Sequence, residues 1–358
     1  MATPTPLSET IPVKRRVVFV VGSGRSGTST MSGALQTLGM HVPQPEVVAD
    51  ETNPKGFGEP QWVVDFHEEL LKRCNVQVSD ARPAAWFEAG KLSAFEPLRG
   101  RLHDWLEQQF VEGGPELVVK DPRLAWFLGL WRSAALRCDA APAYVTMLRP
   151  VTEVVGSKQK YYNARAGEVQ RTAAWVNMML HTERSTRGSA RRFVRYHDML
   201  EDWTVPVFGL GQAFDVDAVK SATANDVRRV HQFIDPTLRR VQLTWDDLEV
   251  PTRLREVAEA TWQQLDRLAD EDGDTPEVHD RLDELRAAYA DLYEEAEAIA
   301  QSTALAARRE GLAQQPGSAV PAQRQGERHG VDRVPHGLRK MVPGSVRRGL
   351  RKAVGRER

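Results

Sequence analysis

Residues 17–30, Val-Val-Phe-Val-Val-Gly-Ser-Gly-Arg-Ser-Gly-Thr-Ser-Thr, decide the fold. Five consecutive apolar residues before a glycine-rich turn predict a strand that is buried on both faces. The residues from Thr28 to about Leu38, ended by Gly39, predict a helix. The backbone N–H groups of such a turn and the positive end of the helix dipole together predict a pocket for a phosphate-like anion.

The turn differs from an ATP-binding loop in the position of its positive charge. The pattern G-x-x-x-x-G-K-[ST] would place a lysine at position 28, where this chain has Thr28, and the cation of the turn is Arg25 instead. The predicted anion-binding residues are those that offer backbone N–H groups, a guanidinium group or hydroxyl groups: Gly24, Arg25, Ser26, Gly27, Thr28, Ser29 and Thr30.

Strand and helix signals alternate in the first half of the chain. After the first strand, three more short apolar runs predict strands: 117–120, 144–149 and 193–196. The alternation predicts the α/β class, with a parallel sheet that helices cover on both faces. Ligands of such sheets bind beyond the carboxyl ends of the strands, and the three most polar motifs of the chain follow its first three predicted strands.

The turn GSGRSGTS resembles the 5′-phosphosulfate loop of sulfotransferases that use 3′-phosphoadenosine 5′-phosphosulfate (PAPS), in the form typical of bacterial and Golgi-type carbohydrate enzymes. Arg149 and Ser157, eight positions apart, resemble the 3′-phosphate motif of that family. Residues 195–200 and 233–240 also look like segments of these enzymes, so the resemblance covers about residues 15–240. It implies a fold like that of the P-loop nucleoside kinases, with PAPS as the co-substrate.

The resemblance also implies the residues of the reaction centre. Lys120, at the end of the second predicted strand, matches the lysine that donates to the transferring sulfate in sulfotransferases. Cytosolic members have a histidine base two residues later, where this chain has Pro122. Golgi-type members commonly use a glutamate, and Glu59 lies in a segment, NPKGFGE, that looks like one in bacterial relatives. Glu59 is therefore the predicted base and Lys120 the predicted charge-stabilising residue.

Two polar side chains near these residues are predicted to have structural roles rather than catalytic ones. Asp121 precedes Pro122, and an aspartate before a proline is a common helix start, so a cap is preferred to a base. His67 fits the solvent-facing side of an amphipathic helix predicted over 61–73 and is a less suitable base.

The whole chain has 358 residues, of which 41% are hydrophobic, and a net charge of −1. We predict a flexible N-terminus at 1–14, a sulfotransferase domain at 15–310 with a helical part from about 250 to 310, and a disordered basic tail at 311–358. Two cysteines without a zinc-ligand cluster predict neither a disulfide framework nor a bound metal. The absence of a long apolar run predicts a cytoplasmic protein.

The predicted function is transfer of a sulfuryl group from PAPS to a hydroxyl of a carbohydrate, glycolipid or glycosylated metabolite, without a metal ion. The apolar residues among the arginines and lysines of the tail are compatible with peripheral contact with an anionic membrane or with an acidic partner, and no specific nucleic acid is expected. Pro343 and Gly344 interrupt an amphipathic helix there, so a solvated basic tail is an equal alternative. Two alternatives stay open. One is a P-loop kinase or nucleotide hydrolase with an altered loop. The other is a non-catalytic protein that binds a membrane surface or a partner.

Overall fold

The computed structural model describes residues 14–50, 56–161, 167–234 and 242–313. Its strands are β1 (Arg15–Val21), β2 (Glu116–Lys120), β3 (Ala140–Leu148) and β4 (Ala190–Arg195). They form a parallel sheet in the order β2-β1-β3-β4. The predicted α/β class, with helices around a parallel sheet and a helical C-terminal part, is therefore confirmed.

Helices separate the strands and continue after the last one. They are α1 (Thr28–Thr37), α2 (Gln61–Cys74), α3 (Ala85–Lys91), α4 (Glu96–Gly113), α5 (Leu128–Arg137), α6 (Val151–Tyr161), α7 (Glu168–Thr186), α8 (Tyr196–Asp202), α9 (Thr204–Ala213), α10 (Asp217–Lys220), α11 (Ala224–Phe233), α12 (Thr252–Arg267) and α13 (Pro276–Ala313). Short 3₁₀ turns lie at Leu92–Ala94, Pro122–Trp126 and Trp245–Asp247.

The side chains of β1 alternate between two cores because successive strand residues point to opposite faces of a sheet. Val17, Phe19 and Val21 pack with α2, α4 and α5, whereas Val18 and Val20 pack with α1, α9 and α11. Both faces of this strand are thus buried from solvent, which explains why its sequence is a continuous apolar run. A third core joins the end of β3 to α6, α7, α12 and α13.

The chain divides into two compact units, Met1–Glu295 and Ala296–Arg358. The first contains the whole sheet, and its helical part near the C-terminal end buries Leu254, Ala258 and Leu265 of α12. In the second, the described side chains from Ala296 to Glu310 are exposed. Among the described helices, none has a stretch long and apolar enough to cross a bilayer.

Candidate anion-binding and catalytic site

The turn after β1 has the backbone that its glycines predict. Gly27 precedes α1 with φ +88°, and a Cβ there would lie 2.1 Å from Cδ2 of Tyr196, so only glycine fits this position. Arg25 also has a positive φ, +77°. A left-handed backbone conformation costs free energy for any residue other than glycine. It is found where the surrounding structure enforces it, often at binding sites. The turn therefore has the left-handed backbone that its glycines predict, and the surrounding structure holds it in place.

The hydroxyl groups of the turn differ in burial. Ser26 and Thr28 are buried, whereas Ser29 and Thr30 are partly exposed at the first turn of α1. Ser26 Oγ has no hydrogen-bond partner among the described residues although its residue is 1% exposed. An unpaired buried hydroxyl costs free energy unless something completes it, so this atom fits a site that receives a polar ligand.

The motif after β3 contacts the turn directly. Arg149 Nη1 donates to the backbone oxygen of Arg25 at 3.0 Å, and Arg25 Nε donates to Ser157 Oγ at 3.1 Å. The structure thus brings together the residues of the two predicted phosphate motifs, which are more than 120 positions apart in the chain. Arg149 Nε also donates to buried Glu153 Oε2 at 2.9 Å, a pairing that the sequence analysis did not include.

Tyr196 closes this part of the site. The guanidinium carbon of Arg149 lies 5.2 Å from the centre of its ring, within the range of a cation–π contact. Burial raises the pKa of the Tyr196 hydroxyl, against the opposing effects of the Arg149 charge and of a hydrogen bond with Thr30. Tyr196 is therefore a neutral phenol at physiological pH, and its ring packs against Gly27 and Arg149.

Lys158 is a further cation of this site that the sequence analysis missed. Its Nζ donates to Ser23 Oγ in the turn at 3.1 Å and lies 3.5 Å from Ser79 Oγ. Burial and, secondarily, the charge of Arg171 lower the pKa of Lys158 to about 8. Lys158 is half-buried, and crowding of positive charges in such a place is unfavourable in the absence of an anion, so an anionic ligand would relieve it.

The two predicted catalytic residues form a buried ion pair. Lys120 Nζ donates to Glu59 Oε1 at 2.5 Å, to the backbone oxygen of Phe57 at 2.9 Å and to Ser29 Oγ at 3.3 Å. Lys120 is 2% exposed and Glu59 is 8% exposed. Gly58 has φ +62°, and a Cβ at this residue would lie only 2.9 Å from Ser32 Oγ of α1. The glycine therefore lets the segment before Glu59 pass close to α1. The pair therefore lies beside the turn that follows β1.

The structure corrects the interpretation of His67. Instead of lying on a helix surface, His67 is 0% exposed, and its Nδ1 is 2.8 Å from Asp121 Oδ2. Trp131 Nε1 donates to His67 Nε2 at 2.8 Å. Because an indole N–H can only donate, the imidazole must accept at Nε2 and carry its proton on Nδ1, from which it donates to Asp121.

Asp121 caps the 3₁₀ turn that follows β2, as its sequence predicts. Its Oδ1 accepts from the backbone N–H of Arg123 at 2.9 Å and from Arg123 Nη1 at 3.0 Å. Burial alone would raise the pKa of this carboxyl group, but the hydrogen bond from His67 and the charge of Arg123 outweigh it, so the pKa lies below its usual value. Asp121 is thus a structural carboxylate that holds the end of β2 next to Lys120.

One group of potential metal ligands lies elsewhere in the described part of the chain. His103, Glu107 and Cys138 offer ligand atoms within 4.8 Å of one another. Arg15 Nη1 donates to Glu107 Oε1 at 2.7 Å, and a guanidinium group in that place competes with a metal ion. Burial, together with the charge of Glu107, raises the pKa of the Cys138 thiol to about 12, which disfavours the thiolate that a metal needs.

Parts of two predicted motifs fall outside the described residues: 53–55 of the segment before Glu59, and 235–240 of the later family-like segment. The same holds for the predicted basic tail from residue 314 onward. These predictions stay as the sequence analysis states them.

Solved structures that are similar to this chain include two sulfotransferases. The sulfotransferase domain of the Synechococcus PCC 7002 olefin synthase is 15% identical, with a TM-score of 0.43, over 71% of this chain and 96% of that domain. The sulfotransferase STF1 of Mycobacterium tuberculosis is 15% identical, with a TM-score of 0.33, over 62% of this chain and 77% of that protein. No protein-family model matches the chain, and no curated protein sequence matches it.

Proposed function

We propose that this protein is a sulfotransferase that moves a sulfuryl group from PAPS to a hydroxyl of a carbohydrate, glycolipid or glycosylated metabolite. One observation carries the proposal: the ends of three adjacent parallel strands present a buried Lys–Glu pair, a glycine-rich turn at a helix N-terminus, and a buried arginine with a serine. This combination suits a donor that is anionic at both ends. It also suits a reaction in which the transferred group lies between a cation, Lys120, and a base, Glu59.

The residues divide between the two ends of the donor. The backbone N–H groups of Gly24, Arg25, Gly27, Thr28 and Ser29, the hydroxyl of Ser26 and the ammonium of Lys158 would hold the 5′-phosphosulfate. The N–H groups of Ser26 and Thr30 already donate to backbone oxygens of the turn. Arg149 and Ser157 would hold the 3′-phosphate. Because the Arg25 side chain is bonded to Ser157, we assign its guanidinium group to the 3′-phosphate end, while its backbone belongs to the turn.

The reaction needs a base, a cation and in-line geometry. Glu59 would take the proton of the acceptor hydroxyl, whose oxygen forms a bond to sulfur as the bond between sulfur and the 5′-phosphate oxygen breaks. Lys120 would neutralise the charge that develops on the leaving oxygen. The products are a sulfate ester and adenosine 3′,5′-bisphosphate, and the proton stays on Glu59 until water removes it. Lys120 must exchange one of its three oxygen contacts to reach the donor.

Calorimetry with adenosine 3′,5′-bisphosphate and turnover with labelled PAPS test these roles. We expect Arg149→Ala to weaken binding of the bisphosphate at least tenfold but to change binding of adenosine 5′-phosphate little, because that ligand lacks the 3′-phosphate. Glu59→Gln should lower turnover at least a hundredfold and leave bisphosphate affinity within threefold. Arg228→Ala, an exposed arginine of α11, is the matched control for lost charge.

Two results would contradict the proposal. Unchanged bisphosphate affinity in both Arg25→Ala and Arg149→Ala would show that the nucleotide binds elsewhere or not at all. Magnesium-dependent binding of ATP that exceeds binding of the bisphosphate would instead favour a kinase or nucleotide hydrolase.

A further inference from the structure

A groove of about 610 Å³ runs along the outer side of β4 and shares no residue with the proposed donor site. β4 is the last strand in the sheet order, and in the described residues it pairs only with β3. The lining of the groove includes four consecutive residues of β4, Arg191–Val194. Because successive strand residues point to opposite faces of the sheet, a groove that touches all four lies along the edge of the strand.

An outer strand leaves half of its backbone groups unpaired. In a parallel sheet, alternate residues direct their N–H and C=O groups to opposite sides, so alternate residues of β4 direct theirs away from β3. Such an edge can accept another extended chain through main-chain hydrogen bonds. The groove leaves space above this edge, between the α8–α9 segment on one side and the Leu268–Asp274 segment on the other.

The walls of the groove are acidic. Six carboxylates line it against two guanidinium groups: Asp198, Glu201, Asp202, Asp270, Glu271 and Asp274, with Arg191 and Arg192. Some of these charges are already paired. Arg191 Nη2 lies 2.7 Å from Asp274 Oδ1, and Arg195, outside the lining, lies 2.7 Å from Asp270 and 3.9 Å from Asp198. The surplus is still negative, so the walls repel nucleic acid and acidic segments and attract lysine or arginine side chains.

Apolar groups lie between the charges. Val205 is 70% exposed on α9, whereas Leu268 and Phe193, in the same lining, are each only 5% exposed. Gly209 of α9 also lines the groove, and a Cβ built there meets no atom within 4 Å. The groove therefore offers room and apolar surface for aliphatic side chains beside the acidic walls.

We propose that this groove binds an extended segment of a partner protein in which aliphatic residues alternate with arginine or lysine. The segment adds to the sheet next to β4 through its backbone. Its aliphatic side chains contact Val205 and fill the space beside Gly209, and its basic side chains lie against the acidic walls. Main-chain hydrogen bonds supply affinity, and the charges select the partner.

The test uses the full-length protein and a fluorescent ten-residue peptide of alternating valine and arginine, with a valine–glutamate peptide as the matched probe. Anisotropy should show binding of the basic peptide only. We expect the double variant Glu201→Lys/Glu271→Lys to weaken it at least tenfold, and Glu112→Lys, an exposed residue of α4, to change it less than twofold. Gly209→Leu should weaken it at least tenfold by filling the groove.

Hydrogen exchange of the β4 amides gives a second readout. Binding should slow the exchange of alternate amides in 190–195, which is the signature of a new strand. Absence of binding, equal binding by Gly209→Leu, or binding without slower exchange would each overturn the proposal. So would a dimer in light scattering that Gly209→Leu converts to a monomer, because the occupant would then be a second copy of this chain.

Discussion

Replacing Lys158 with methionine should stabilise the ligand-free protein and weaken donor binding. The pKa of Lys158 falls from 10.5 to about 8 on folding because of burial and Arg171, which corresponds to a loss of about 3 kcal/mol of unfolding free energy at pH 7. The hydrogen bonds to Ser23 and Ser79 return about 1 kcal/mol each at most. Lys158→Met should therefore raise the unfolding free energy by about 1 kcal/mol at pH 7.

The pH dependence of this effect has a definite sign. Between pH 8 and pH 10.5 the unfolded chain binds more protons at Lys158 than the folded chain does. The contribution of Lys158 to stability therefore rises with pH across this window. Methionine does not titrate, so the advantage of Lys158→Met should shrink as the pH rises, vanish near about pH 9, and reverse at higher pH, where the neutral amine keeps its hydrogen bonds without the penalty of burying a charge.

Urea unfolding at pH 7.0 and pH 9.5, followed by tryptophan fluorescence, measures the stability difference. Lys72→Met, at an exposed position of α2, is the matched control and should stay within about 0.5 kcal/mol of the wild type. Calorimetry should show at least tenfold weaker binding of adenosine 3′,5′-bisphosphate to Lys158→Met. A variant that is less stable at pH 7 and binds the bisphosphate normally would refute the assignment of Lys158 to an anion site.

Two further stability predictions follow from buried contacts, each checked by urea unfolding. His67→Leu leaves the indole N–H of Trp131 without its partner and should cost about 3 kcal/mol, whereas His231→Leu at an exposed position should cost less than about 0.5 kcal/mol. Gly27→Ala places a Cβ against Tyr196 in a left-handed conformation and should cost about 2 kcal/mol or more. Gly100→Ala, with open space at its Cβ in α4, should instead stabilise by about 0.5 kcal/mol. Equal effects within either pair would contradict these contacts.

The parts of the site that could be predicted from sequence depend on local signals. The apolar run of β1, the turn and α1 are consecutive, so their residues define one strand, one turn and one helix start. Lys120 ends the second strand and Arg149 directly follows the third, and parallel strands end at the same edge of a sheet. The general rule for ligand position in α/β sheets therefore places them near the turn before any side-chain contact is known.

The side chains that were missed depend on distant partners. His67 occupies a helix position that suits a surface residue, and only its contacts with Asp121 and Trp131, more than 50 positions later, show that it is buried. Lys158 likewise sits in a polar stretch of α6, and its partners Ser23 and Ser79 come from other parts of the chain. A histidine or lysine at one position gives no local sign of such a contact.

The sequence analysis also did not predict helix α7, because this helix is buried on most of its sides. An amphipathic stripe appears only where one side of a helix faces water. In Glu168–Thr186 the residues from Ala174 to Leu180 are all buried, and so are the polar Thr182 and Glu183. A helix with core on most sides has no clear polar face, so periodicity could not identify it.

The strand order fixes the distance between the strand ends that carry Lys120 and Arg149. β1 lies between β2 and β3, and neighbouring strands are about 4.8 Å apart, so the ends that carry Lys120 and Arg149 are separated by about 10 Å. This separation depends on backbone hydrogen bonds rather than on mobile side chains. Under the proposed function, discrimination against nucleotides that lack a 3′-phosphate would be a property of the sheet, and loop substitutions that alter the acceptor should leave it intact.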